Sequence, residues 1–186
     1  MKGRESGMPP KEMWEGFFTP TETLNIMGLK EARDVVEFGC GYGTFTIPAA
    51  KMIQGTIYAI DIESEMTEAT EKEAKAEGLR NVKPVLRDFM SEGTGLPSES
   101  SDYVMLFNIL HIEDPETMLR EAWRILKQGG KLGIIHWNYD ASTPRGPSMD
   151  MRPKPLDCIK WAQDTGFTLP KQYDLKPYHY GIVLTK

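Results

Sequence analysis

Cysteine is almost missing from this chain: Cys40 and Cys158 are the only two in 186 residues, too far apart for a C-x-x-C pair. Neither a disulfide framework nor a structural zinc site is expected, and the usage suits a reducing, cytoplasmic compartment. Long apolar runs are missing too. No segment approaches the roughly 18 apolar residues of a membrane span, and the opening MKGRESGMPPKEMWEGFF lacks the apolar stretch of a secretion signal. Nor is positive charge in excess, with 22 Lys and Arg against 27 Asp and Glu. The net charge of -5 weighs against a nucleic-acid partner, which usually calls for a basic surface. What remains, 40% hydrophobic and 26% charged residues without repeats or low-complexity tracts, is the make-up of a globular protein. The length suits one domain, residues 1–186.

What is present is a strand–helix alternation. Short β-branched runs at 34–38, 56–61, 82–88, 102–108 and 131–137 read as strands. Several are apolar at consecutive positions, as strands covered on both faces of a parallel sheet should be. Residues 63–77 read as a helix stopped by Gly78. The stretch EDPETMLREAWRILKQGG offers Asp114 as N-cap, Pro115 as first helical residue and Gly129-Gly130 as the stop. A helix over 155–165 ends at Gly166, and two strands, 168–175 and 179–185, close the chain with a link short enough only for a hairpin. The pattern predicts an α/β, Rossmann-like doubly wound sheet of seven strands, mostly parallel with an antiparallel C-terminal strand. Ligands bind such sheets beyond the carboxyl ends of the strands, where strand order reverses. Two segments fall outside this core, 1–30 and the Pro/Gly/Arg-rich 138–155, and both are placed to cover that edge.

The first strand runs into the turn FGCGYGT. A dinucleotide fingerprint would read G-x-G-x-x-G, but here the third position is Thr44 and the extra glycine, Gly43, comes one residue early. Glu37, two residues before Gly39, would repel a pyrophosphate and welcome an ammonium group, directly or through water. Asp61 ends the second strand about 20 residues on, where a carboxylate can accept both hydroxyls of a ribose. Asp88 with Phe89 after the third strand suits an adenine ring, an acceptor for its amine beside an apolar wall. An ammonium, a ribose and an adenine with no phosphate describe S-adenosylmethionine.

At these residues the sequence resembles the class I S-adenosylmethionine-dependent methyltransferases, in particular the compact small-molecule enzymes called type 11. The likeness covers roughly residues 33–137, through VVEFGCGYGT, AIDIESEM, LRDFM, DYVMLFNILHIEDP and LREAWRILKQGGKLGIIHW. It implies that Glu37, Gly39, Cys40, Gly41, Asp61, Ile62, Asp88, Phe89 and Asn108 bind the cofactor. The activated sulfonium leaves the protein to align an acceptor and exclude water. A base is needed only where the acceptor loses a proton, and His111 and His136, after the fourth strand and at the end of the fifth, are the catalytic choices. His179 reads as structural. Arg145 and Arg152 are the residues that could grip an anionic substrate. The strand ending FNIL departs from the N/D-P-P-Y/F signature of enzymes that methylate adenine or amide nitrogens, and two cysteines are too few for an arsenic methylator. A small-molecule acceptor is the expectation. Two alternatives stand beside it: a non-catalytic S-adenosylmethionine-binding protein, and a nicotinamide-dependent oxidoreductase, against which Thr44 and Glu37 argue.

Overall fold

The computed structural model describes residues 8–186. Two short helices, α1 (Lys11–Glu15) and α2 (Pro20–Ile26), precede β1 (Val35–Phe38). Then come α3 (Thr46–Met52), β2 (Ile57–Asp61), α4 (Ser64–Ala76), β3 (Val82–Leu86), α5 (Phe89–Glu92), β4 (Ser101–Phe107) and α6 (Pro115–Ile125). The chain closes with β5 (Leu126–Trp137), α7 (Pro155–Thr165), β6 (Thr168–Leu175) and β7 (His179–Thr185). The strands form one sheet of seven in the order β3-β2-β1-β4-β5-β7-β6. Its first five members pair in parallel, and β7 runs antiparallel to both β5 and β6. The expected mostly parallel sheet with one reversed strand is what forms.

Alternation along the strands explains why helices cover both faces. Val36, Phe38, Val104, Leu106, Leu132 and Ile134 point into one core with α6 and α7. Val35, Tyr103, Met105, Phe107 and Ile135 point into the other, with α2 and α3. Each such side chain contributes roughly 1.5–3 kcal/mol when fully withdrawn from water. Strand order reverses between β1 and β4, so the crevice at their carboxyl ends is where a ligand belongs.

One helix end departs from expectation. α6 stops at Ile125, four residues before Gly129-Gly130, and the glycines lie inside β5. The reason is local. The carbonyls of Arg124 and Ile125 accept from the amides of Glu99 and Ser100 at 3.0 and 2.8 Å, so the helix end is satisfied without further turns. Leu126 is extended, fully buried and paired with Ser101. The glycines serve the register shift that follows, Gly129 taking φ of 76°. Gly78 (φ 68°) and Gly166 (φ 116°) do end their helices in left-handed geometry.

The N-terminal segment is pinned down by aromatic contacts. Phe17 meets Trp137 edge-on at 5.2 Å, and Phe18 meets Phe45 at 5.2 Å and His179 at 4.4 Å. Tyr42 donates its hydroxyl to the Pro9 carbonyl at 3.1 Å. These contacts hold α1 and α2 against the edge where β1, β4 and β5 end.

Candidate active site

A cavity of about 1370 Å³ opens at the carboxyl ends of β1, β2 and β4. Ligand pockets typically measure about 300–1,000 Å³, so this one has room for two molecules side by side. Its floor is the glycine turn. Gly39 and Gly41 have φ of 72° and 54°, a conformation that side chains resist. Gly39 is bound further: a Cβ there would lie 2.8 Å from Ile109 Cδ1. The turn is fastened by the amides of Gly39 and Cys40, which both donate to the Ile60 carbonyl. Gly43, the glycine that breaks the dinucleotide pattern, lets α4 approach, since its Cβ would sit 3.0 Å from Thr70 Oγ1.

Two carboxylates meet at this floor. Glu37 is 2% exposed and accepts from Thr46 Oγ1. Burial raises its carboxyl to about 8, the Thr46 hydroxyl opposing and nearby Asp61 adding to the rise. Near neutrality the group therefore holds its proton until a positive charge arrives. Asp61 Oδ2 accepts from the Gly41 amide at 2.9 Å and Oδ1 from the Glu63 amide at 3.1 Å. Burial raises this carboxyl too, and the two amides oppose the rise.

Three polar atoms on the cavity wall are buried without a hydrogen-bond partner among the described residues: Thr44 Oγ1 and both amide atoms of Asn108. Buried polar groups are nearly always paired. Asn108 also holds φ at 57°, a left-handed geometry that asparagine tolerates better than most residues. Unpaired polar atoms beside a cavity are the mark of groups that a ligand completes.

Of the residues expected at the site, Glu37, Gly39, Cys40, Gly41, Asp61, Ile62, Phe89, Asn108 and His111 all line this cavity. Asp88 stands outside the lining, and its Oδ1 caps α5 by accepting from the amides of Met90 and Ser91 at 3.0 and 3.3 Å. The wall beside it is Phe89 and Met90. His136 does not face the cavity: it is fully buried behind His111, whose Nδ1 lies 3.2 Å from His136 Nε2. Burial, with His111 and His179 nearby, draws its ring well below the ordinary histidine range and keeps it neutral. Burial likewise draws His179 down to about 3, and it packs on Trp137 at 4.3 Å, in keeping with its structural reading.

The two arginines are corrections. Arg145 is exposed and outside the lining. Arg152 is 7% exposed and turned inward. Its guanidinium donates to the carbonyls of Asn138, Asp140 and Pro147 at 2.9, 3.0 and 2.8 Å and to Thr143 Oγ1 at 2.7 Å. A segment with neither helix nor strand leaves its carbonyls unsatisfied, and five donors on one planar group collect them. Arg152→Ala is expected to cost about 2 kcal/mol, seen as a melting temperature lower by roughly 4–8 °C. Unchanged melting would refute the clamp.

The sequence did not point to Met8, Trp14 and Met151, which line the cavity from the N-terminal segment and from 138–155. Nor did it single out Ile109 and the loop Ile112–Asp114. Thr44 was legible, as the residue in place of the third glycine, and it became a wall residue with an unpaired hydroxyl.

The methyltransferase-domain family matches residues 35–130 of this chain. Aklanonic acid methyltransferase DauC of Streptomyces sp. (strain C5) is 33% identical over 132 residues, 68% of this chain and 59% of its own. Demethylmenaquinone methyltransferase of Geobacillus stearothermophilus is 30% identical over 112 residues, 59% of this chain and 47% of its own. The chain thus spans about half to three-fifths of the length of these curated relatives. Among solved structures, a SAM-dependent methyltransferase from Aquifex aeolicus superposes with a TM-score of 0.83 at 25% identity, over 94% of this chain and 92% of that one. Family match, fold and cavity agree, and the chain belongs to the methyltransferase-domain family, among the class I S-adenosylmethionine-dependent methyltransferases.

Proposed function

We propose that this chain transfers the methyl group of S-adenosylmethionine to a small-molecule acceptor. The observation that carries the reading is the convergence of Glu37, Asp61 and the unpaired Thr44 and Asn108 atoms on one cavity with room for a second molecule. When bound, S-adenosylmethionine supplies a methyl carbon already activated by the sulfonium. Glu37, oriented by Thr46, takes the ammonium end and gives up its proton in doing so. Asp61, its oxygens steadied by two backbone amides, takes the ribose hydroxyls. Phe89 and Met90 wall the adenine, and Asn108 completes its hydrogen bonds on the ligand between them. The acceptor enters on the β4 and β5 side, where Trp14 and Met151 exclude water, while Met8 lies against Gly41 of the glycine turn.

The size of the cavity favours an enzyme over a non-catalytic binder, which needs space for one ligand only. Thr44 stands where the dinucleotide pattern needs its third glycine, and among the described residues no lysine or arginine lines the cavity to meet a pyrophosphate, which counts against the oxidoreductase. Among the described residues no helix is long and apolar enough to cross a membrane. Thiols at Cys40 and Cys158, both buried and unpaired with one another, fit a reducing cytoplasm. Calorimetric titration with S-adenosylmethionine, S-adenosylhomocysteine and NADH is the test. The first two are expected to bind in the micromolar range and NADH not at all; binding of NADH alone would replace this reading with the oxidoreductase.

A further inference from the structure

A carboxylate can select a ribose only when its oxygens are held still. One of the groups holding Asp61 is the Gly41 amide, 2.9 Å from Oδ2. Gly41 has φ of 54°, and a glycine keeps more conformational freedom than any other residue. It needs to be fixed itself. Its N–H goes to Asp61, and its carbonyl accepts from Thr70 Oγ1 at 3.0 Å. The residue is gripped on both sides, by a carboxylate at the end of β2 and by a hydroxyl from α4, and both bonds are buried.

Thr70 stands apart from the rest of its helix. Apart from two threonines, α4 is made of Glu, Ala, Lys, Met and an opening Ser. A β-branched residue lowers helix propensity, and a helical threonine can turn its hydroxyl onto a carbonyl of its own preceding turn. Thr67 does so, donating to the Ser64 carbonyl at 2.9 Å. Thr70, fully buried, reaches instead to the glycine turn, 29 residues away in sequence. Its Oγ1 also lies 3.7 Å from Cys40 Sγ. The turn is shaped to receive it: a Cβ at Gly43 would come within 3.0 Å of Oγ1 and 3.4 Å of Cγ2. The glycine that comes one place early in the pattern leaves open the space that Thr70 fills.

Resting on the methyl-transfer reading above, we infer that Thr70 is a positioning residue for the cofactor, holding Asp61 through Gly41 in the orientation that selects a ribose with both hydroxyls. Thr70 does not line the cavity, so its effect reaches the ligand only through the turn. Without its hydroxyl the Gly41 carbonyl is buried and unpaired, a cost that rotation of the turn relieves. The Gly41 amide then leaves Oδ2, and the carboxylate swings about the Glu63 amide that still holds Oδ1. A ribose hydroxyl that met two well-placed lone pairs now meets a moving target.

The test compares S-adenosylhomocysteine with its 2′-deoxy analogue by calorimetry on the full chain. The wild type is expected to favour the ribose form by about tenfold or more, the worth of one hydrogen bond to a carboxylate. Thr70→Val keeps the shape and loses the hydroxyl, and it is expected to cut that preference to about threefold or less. Thr70→Ser is expected to restore it. A loss of stability alone would lower both affinities alike and leave their ratio where it was. An unchanged ratio in folded Thr70→Val overturns the positioning role while the cofactor reading stands, and so does a Thr70→Ser protein as impaired as the valine one. Should the valine protein not fold, Thr70→Ser against Thr70→Ala removes the same hydroxyl and is read in the same way. A wild type that binds both ligands equally overturns this inference together with the ribose assignment of Asp61. Failure of S-adenosylhomocysteine to bind the wild type removes the cofactor reading as well.

Discussion

Asp61→Ala is expected to weaken S-adenosylmethionine binding by at least a hundredfold. The carboxylate would accept both ribose hydroxyls, and hydrogen bonds to a charged acceptor contribute roughly 1.5–3 kcal/mol each. Two of them make about 3 kcal/mol or more, and each 1.4 kcal/mol is a factor of ten. The structure adds a second route to the same loss. Asp61 also holds the amides of Gly41 and Glu63, so alanine frees the turn that forms the cavity floor. Asp61→Asn separates the two: its amide oxygen can keep one amide while the negative charge is gone, and binding is expected to fall about tenfold. Calorimetry on both variants, with circular dichroism to show the fold, measures this. Unchanged affinity in a folded Asp61→Ala protein would remove the ribose assignment.

Affinity for S-adenosylmethionine is expected to fall roughly 20-fold from pH 8 down to 6, most of it below pH 7. Glu37 is held protonated below about 8 by burial, yet it must be ionised to pair with an ammonium. Well below pH 8 binding therefore releases one proton, and lower pH opposes it. Above pH 8 the ligand's amino group, ordinarily near 7.7–8.0, loses its charge, so affinity peaks close to 8. Glu37→Gln is expected to bind 10- to 100-fold more weakly than the wild type at pH 8. At pH 6 the two should converge, because a protonated carboxyl and an amide are alike in charge. The free protein should show the opposite trend in stability. A carboxyl raised from an ordinary 4.5 to about 8 binds its proton more tightly folded than unfolded. Its stabilisation is thus complete below 4.5 and declines through that window, by a few kcal/mol at most. Titrations in buffers of different ionisation enthalpy count the proton directly. A wild type whose affinity is flat from pH 6 to 8 would refute the role of Glu37.

How much of this was legible depended on whether a residue's role is local. Glu37, Asp61 and the glycines are fixed by their distance from a strand end, which the alternating pattern marks, so strand and site were readable together. Asp88 was placed by the same logic, but β3 ends at Leu86, leaving Asp88 free to cap a short helix that gave little periodic signal. Arg152 and His136 could not be placed from sequence at all. Whether an arginine in an irregular segment points outward or inward depends on which carbonyls need donors, and that depends on how the segment folds. His136 belongs to β5, where the side chains alternate; which face it takes follows from register alone. The end of α6 was missed for a related reason. Glycines after a helix are a good stop, but Glu99 and Ser100, about 25 residues upstream, had already satisfied the last carbonyls.

The sheet order has a consequence for the chain as it is made. β7 follows β6 in the sequence but lies between β5 and β6. Synthesis proceeds at about 5–20 residues per second, so several seconds pass between the emergence of β5 and that of β7. During that interval the outer edge of β5, with Leu132, Ile134 and Ile135 beside it, has no strand to pair with. β6 cannot take the place, because it hydrogen-bonds to β7 and needs it first. The β1–β4 half of the sheet can form early on the ribosome. The β5 edge stays open for a mispaired neighbour until the last strand slides in, and a chaperone that shields it would act in that window.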